Sequence, residues 1–237
     1  MKKKNLLING CSRGIGYDLF KTLNVKYNIY GLSSVRTNKK NIFYYNPLKN
    51  PNLDQYLIKK IKACKIDHVI HCSGGGLKYH DKFLELNKLY DLFNINFFSI
   101  FEINKVLIKN KIKNKKLNII MVGSIAAFEN NASIGYSVAK SVLLNYNKNL
   151  ASNFIKENVI CKLIIPGSFI STRGAMERLK KDNHVIFKKI EKLIPAKKMQ
   201  DSKDLVKFIE YLLKPETDLL NGTYISLSNL ESKSIFL

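Results

Sequence analysis

Tyr136 and Lys140 stand four residues apart in the run Tyr136-Ser137-Val138-Ala139-Lys140. On a helix this spacing puts both side chains on one face. A phenol with an ordinary pKa near ~10 is a poor acid or base at neutral pH, and an ammonium beside it favours the phenolate. The pair therefore reads as a general acid/base, with Lys140 expected to depress the Tyr136 pKa. Ser124, twelve residues earlier, closes an apolar segment. Its hydroxyl can hydrogen-bond a substrate carbonyl and hold it against the tyrosine. Asn96 lies in a long stretch of helical periodicity further upstream, where its amide or backbone can hold a water touching Lys140. A tyrosine and lysine four apart are common and bland taken singly. The argument rests on the order along one chain: a glycine loop, then Asn96, Ser124, Tyr136 and Lys140.

The glycine loop is Asn9-Gly10-Cys11-Ser12-Arg13-Gly14-Ile15-Gly16, directly after a short apolar segment. Glycine is needed where a chain turns sharply and where backbone must approach a pyrophosphate. The helix that follows offers free N–H groups and a partial positive charge to that anion. After the next strand, an NAD site usually has an acid for the ribose 2′-hydroxyl. This chain has Gly31-Leu32-Ser33-Ser34-Val35-Arg36 there, with no acid. Arg36 and Arg13 can embrace a 2′-phosphate, with Ser33 or Ser34 hydrogen-bonding it, which favours NADP(H) over NAD(H).

These residues need a scaffold. Strands are expected at 5–9, 27–33, 68–72, 117–122, 159–165 and 223–227. Helices are expected at 14–23, 53–63, 84–109 (broken or bent near Asn94), 133–156 and 205–213. The strands are continuous apolar runs, as when helices cover both faces of a sheet. The alternation predicts an α/β fold, a doubly wound parallel sheet with ligands at the carboxyl ends of its strands. Its 237 residues suit one domain spanning 1–237.

These motifs resemble those of the short-chain dehydrogenases/reductases over almost the whole length. Residues 9–16 resemble that family's TGxxxGIG motif, with Asn9 for threonine. Residues 67–74 stand at its strand ending in NNAG, with His71-Cys72-Ser73 for Asn-Asn-Ala. His71 lacks the amide that bridges strands there. Asn94-Ile95-Asn96 resembles the catalytic-asparagine segment, and Gly123-Ser124 and Tyr136 to Lys140 the serine and YxxxK elements. Pro166-Gly167 follows a strand as the family's PG turn does. Ile194-Pro195 through Asp204-Leu205 and Asn221-Gly222 are similar to the closing part of the 3-oxoacyl-carrier-protein reductase branch. The GxxxGxG spacing sets the loop apart from that of sugar-nucleotide epimerase relatives. The tail Ser228-Asn229-Leu230-Glu231 lacks the usual DGG ending.

The resemblance implies a Rossmann fold and reversible hydride transfer between nicotinamide and a carbonyl or alcohol. Tyr136 would protonate the nascent alkoxide and Ser124 polarise the carbonyl. Lys140 would bind the nicotinamide ribose, and Asn96 hold a relay water. Gly10, Ser12, Arg13, Gly14, Ile15, Gly16, Ser33, Arg36, Asn46, Ser73, Gly74, Pro166 and Gly167 would line the cofactor. Asn46 would serve the adenine only as an amide. Ile170 and Thr172 would contact the carboxamide. The threonine comes one residue late, so Ser171 can stand in its place. The polar, weakly patterned stretch 168–195 would be a substrate lid, with Arg173 and Arg178 available to a phosphate or carboxylate. The long helices would pair in a homodimer or homotetramer. The substrate would be a small or carrier-linked, possibly anionic molecule: an acyl thioester, a sugar or a nucleotide-linked sugar. A non-catalytic NADP-binding sensor or scaffold is the alternative, and retention of all four catalytic residues argues against it.

The formal net charge is +22, as in many nucleic-acid binders. Here the lysines are spread along the chain without a recognition motif, and abundant Lys, Asn and Ile point to coding bias. No nucleic-acid partner is expected. No apolar run reaches the ~18–20 residues of a membrane span. Met1-Lys2-Lys3-Lys4 has too short an apolar sequel for a signal peptide and reads as a solvated lead-in. Four cysteines without a CxxC pair suit a reducing cytoplasm. His68 and His71 would leave a strand on opposite faces, so no metal site is expected.

Overall fold

The computed structural model describes residues 3–130 and 132–234. Met1 and Lys2 of the basic lead-in lie outside them. Seven parallel strands form the central sheet: β1 (Asn5–Asn9), β2 (Asn28–Ser33), β3 (Ile42–Tyr44), β4 (His68–His71), β5 (Leu117–Val122), β6 (Val159–Pro166) and, after the two short strands β7 (Phe169–Ile170) and β8 (Gln200–Asp201), β9 (Tyr224–Leu227). Their order is β3-β2-β1-β4-β5-β6-β9, so the winding reverses between β1 and β4. β7 and β8 pair separately, also in parallel.

Helices close both faces. On one lie α2 (Gln55–Ala63), α4 (Ser99–Lys109) and α5 (Ile134–Phe154). They bury Leu57, Ile61, Ile103, Leu107, Leu143 and Leu150 against Leu7, Val69, Ile119 and Leu163. On the other lie α1 (Gly14–Leu23) and α8 (Ser202–Leu212). They bury Leu19, Leu23, Leu205 and Ile209 against Leu6, Ile8, Ile70, Ile120 and Ile164. Neighbouring strand residues feed opposite cores, which is why the strands are apolar throughout. At ~25 cal/mol per Å² of apolar surface, this two-sided burial is the chief driving force of folding.

The structure refines the sequence reading in one place and departs from it in two. The bend near Asn94 is a π-helical turn, Asn94–Phe98, joining α3 (Leu86–Phe93) to α4. A short edge strand, β3, had no sequence signal. Residues 168–195 contain two helices, α6 (Ala175–Asp182) and α7 (His184–Leu193), so the stretch is not unpatterned. They share a small cluster of Phe187, Ile194 and Met199, joined by Ile170, Met176 and Leu179. The Asn183 carboxamide oxygen starts α7 by accepting the Ile186 N–H at 3.0 Å.

Two buried polar groups shape the sheet. Lys162, fully buried on β6, donates to the carbonyl of Leu212 and the hydroxyl of Thr217, each at 2.8 Å. It thereby satisfies the carbonyl end of α8. His71 Nε2 lies 2.9 Å from Asn104 Oδ1, and Nδ1 lies 3.4 Å from Asn9 Nδ2. Asn104 donates to the Tyr146 hydroxyl at 3.2 Å, which leaves its oxygen to accept from the imidazole. His71 therefore ties β1 and β4 to α4 and α5, and the bridge missing from the sequence motif is made by an imidazole. His68 turns to the opposite face, edge-on to Tyr27.

Burial pushes the pKa of both histidines down to about 4. The folded state then holds them neutral while the unfolded chain takes up protons below about 6.5. Stability is full above that value and falls as the pH drops toward 4. By pH 5, still above most carboxylate pKa values, the loss is on the order of 2 kcal/mol for each histidine. Denaturant melts at pH 7.5, 6 and 5 measure it, and a flat profile contradicts the assignment.

Candidate active site

The site lies at the carboxyl end of the sheet, at the β1/β4 reversal where open α/β sheets bind ligands. The N–H groups of Gly10 and Cys11 donate to Leu32 O at 3.0 and 3.1 Å, fastening the glycine loop to β2. Gly10 has φ +87, and a Cβ there would stand 2.6 Å from the Ser73 nitrogen. Only glycine lets these two backbones meet. Gly14, with φ +65, opens α1. Ile15 and Gly16 in the helix's first turn are buried. A glycine loop that opens a helix is what binding of a dinucleotide pyrophosphate generally requires.

Ser124 leaves β5 in extended conformation. Its Oγ accepts the Ala126 N–H at 3.2 Å, and its hydroxyl is near enough to the Tyr136 phenol to favour the phenolate. Tyr136 and Lys140 lie one turn apart on α5, with Lys140 Nζ 6.0 Å from the phenol ring centre. Gly135 lets α5 begin close to its neighbours: a Cβ there would fall 2.5 Å from Leu84 Cδ1 and 2.7 Å from Leu92 Cδ1. Lys140 is 4% exposed and donates to the Val122 carbonyl at 3.0 Å. Burial lowers its pKa to about 8.

Burial also raises the Tyr136 pKa, and the nearby Ser124 hydroxyl only partly offsets this. This corrects the expected depression by Lys140. In the protein alone desolvation of the phenolate wins, so Tyr136 stays protonated at neutral pH.

Asn96 is fully buried in the π turn. Its oxygen accepts the Gly75 N–H at 3.0 Å, and its nitrogen donates to Gly75 O at 3.1 Å and Leu92 O at 2.8 Å. Both amide N–H donors are thus spent on backbone. Its oxygen accepts a single bond and keeps one lone pair. Gly74 has φ +142, and a Cβ there would stand 2.5 Å from Asn96 Oδ1 and 3.0 Å from Lys140 Nζ. Asn96, Gly74, Lys140, Tyr136 and Ser124 therefore converge.

The other expected cofactor residues are differently disposed. Arg36 is exposed at the end of β2, its guanidinium 4.2 Å from the Tyr44 ring centre, and Arg13 is exposed in the loop. Ser12 is half-buried beside it. Ser33 is buried, its hydroxyl bonded to both the N–H and the carbonyl of Val35. The Asn46 oxygen accepts the Leu48 N–H at 3.2 Å and stabilises a turn. Ser73 accepts from Asn9 Nδ2 at 2.8 Å. After Pro166, Gly167 leaves no room for a side chain against Ser228 and Glu231. Ile170 is held in β7. Thr172 is exposed and engages the glycine loop through its carbonyl, which accepts the Gly14 N–H at 2.7 Å. Ser171 is buried, its hydroxyl turned toward Gly174: a Cβ there would stand 2.1 Å from Ser171 Oγ.

A family model described as Enoyl-(Acyl carrier protein) reductase matches residues 55–228. The chain belongs to the short-chain dehydrogenase/reductase family. It is 28% identical to the 3-oxoacyl-[acyl-carrier-protein] reductase FabG of Buchnera aphidicola subsp. Baizongia pistaciae, over 95% of this chain and 96% of that one. Among solved structures, 4-hydroxyisoleucine dehydrogenase complexed with NADH superposes with a TM-score of 0.81 at 17% identity, covering 98% and 100% of the two chains. BdcA in complex with NADPH superposes with a TM-score of 0.76 at 16% identity, covering 95% and 93%. Among the described residues, no helix is long and apolar enough to cross a membrane.

Sequence reasoning overlooked three groups in this short-chain dehydrogenase/reductase. Asp18 on α1 reaches the segment after β7. Glu231 accepts from both the N–H and the hydroxyl of Ser168, locking the tail onto the PG turn. The His71 network supports Asn9 and Ser73. None carries a local signal, because each partner is remote along the chain.

Gly74→Ala tests the convergence. The new methyl must displace Asn96 or Lys140, and a positive φ adds ~1 kcal/mol or more of backbone strain. The expected result is a melting temperature several degrees lower and a Lys140 amine whose NMR titration moves away from about 8. An unchanged titration contradicts the packing described.

Proposed function

We propose that this protein catalyses reversible, NADP(H)-dependent hydride transfer between a nicotinamide and a carbonyl or alcohol substrate. The observation that carries the reading is the meeting of Ser124, Tyr136 and Lys140 beside Gly74, at the mouth of a glycine loop that opens a helix. The nicotinamide, when bound, supplies or accepts the hydride. The chain's residues do the rest. Ser124 holds the substrate oxygen. Tyr136, kept protonated by burial, delivers its proton to the forming alkoxide in the reductive direction. Lys140 bears the ribose hydroxyls and a positive charge near the phenol, and Asn96, through its amide oxygen or its backbone, holds a relay water. Ile15 and Gly16 present helix N–H groups to the pyrophosphate, with Ser12 beside them. Ile170, with Ser171 or Thr172, faces the carboxamide.

The preference for NADP(H) is argued from charge. Arg36 and Arg13 are exposed at the end of β2 and in the loop, with no acid in residues 31–36. Tyr44 stacks on Arg36 and holds it in place. Residues 168–195 form the lid, and their arginines and lysines favour an anionic or carrier-linked substrate such as an acyl thioester. A sugar or nucleotide-linked sugar is the other class. Exposed Phe101 on α4 suits pairing of subunits, and four free cysteines suit a reducing cytoplasm.

NADPH fluorescence titration with a ketone and thioester panel tests the reading. Tyr136→Phe should retain nucleotide binding and lose at least ~100-fold in turnover. Binding without turnover by the unaltered protein across the panel sinks the enzyme reading. Arg36→Ala should weaken NADPH binding about 10-fold or more and leave NADH nearly unchanged, since one charge-assisted bond to phosphate is worth ~1.5–3 kcal/mol. Equal effects on both nucleotides contradict the 2′-phosphate assignment.

A further inference from the structure

Thr172 is gripped on both sides of its backbone by α1. Its carbonyl accepts the Gly14 N–H at 2.7 Å. Its own N–H donates to Asp18 Oδ2 at 3.1 Å. The same carboxylate oxygen accepts the Ser202 hydroxyl at 2.7 Å, which fastens the first residue of α8 to the same point. Next to Thr172, Arg173 adopts φ +57 and lays its guanidinium 5.2 Å from the Tyr17 ring centre. Ser171 O closes the turn by accepting the Gly174 N–H at 2.8 Å. One carboxylate on the glycine-loop helix thus ties down the root of α6–α7 and the start of α8.

Gly14 is the first residue of α1, and its N–H is one of the donors that helix geometry leaves free for an anion. The Thr172 carbonyl covers it. We propose that Asp18 is a positioning residue that latches the 171–174 segment over the glycine loop, so that cofactor entry requires release of Thr172 from Gly14. This rests on the cofactor reading above. Two effects act in one direction. The latched carbonyl competes with a phosphate oxygen for the Gly14 N–H, and the carboxylate places a like charge on the helix that receives the pyrophosphate.

The test is stopped-flow NADPH binding to the full chain and to Asp18→Ala, Asp18→Asn and Ser202→Ala, with trypsin cleavage at Arg173 and Arg178 followed without nucleotide. Asp18→Ala should associate about 10-fold faster, bind several-fold tighter and be cut faster. Ser202→Ala, which alters no charge, should shift all three the same way by less. Asp18→Asn keeps an acceptor and should fall between Asp18→Ala and the unaltered protein. Unchanged association and cleavage in Asp18→Ala overturn the latch. So does a Ser202→Ala protein that matches the unaltered one while Asp18→Asn equals Asp18→Ala, because charge alone then accounts for the effect. In both cases the unaltered protein still binds NADPH. Absence of nucleotide binding in every variant is a different failure, which removes the cofactor reading and the latch with it.

Discussion

A lysine amine taken out of water without a carboxylate beside it must find acceptors in the backbone or lose its proton. Lys140 is in that position. Its ammonium meets the Val122 carbonyl at the end of β5, and burial brings its pKa to about 8. Much of the surrounding architecture follows from keeping this group in place. α5 must approach the sheet closely, which Gly135 permits. The strand after His71 must pass without a side chain, which Gly74 permits. The π turn widens one helical turn so that Asn96 faces Gly75 instead of the core. A single buried charge thus sets the spacing among four elements distant in sequence.

The parts legible in the sequence were those with a local signature. The glycine loop, the apolar strands and the Tyr136–Lys140 spacing each reflect a short-range rule of turn, burial or helical periodicity, and the structure has these elements close to where they were expected. The bend at Asn94 was visible because Asn94 and Asn96 interrupt an apolar helix. The helices α6 and α7 left almost no trace, because α6 buries no residue fully and α7 buries only Phe187. Polar residues whose partners lie far along the chain were not legible at all. His71 in its motif looked like a loss, yet Asn104 and Asn9 make it a bridge. Lys162 had no reading of its own inside an apolar strand, yet it closes the carbonyl end of α8. The direction of the Tyr136 shift was misjudged for a related reason: spacing places a cation near a phenol but says nothing of how much water either retains.

The small cluster formed by Phe187, Ile194 and Met199 shares no buried residue with the two cores that sandwich the sheet. Packing defects therefore do not pass readily between them. A descendant gene can exchange the residues of α6 and α7 while the buried amine and its supports stay as they are. The molecule thus separates a part free to change its packing from a part held by the buried amine, and the border is the hydrogen-bonded segment between β7 and α6.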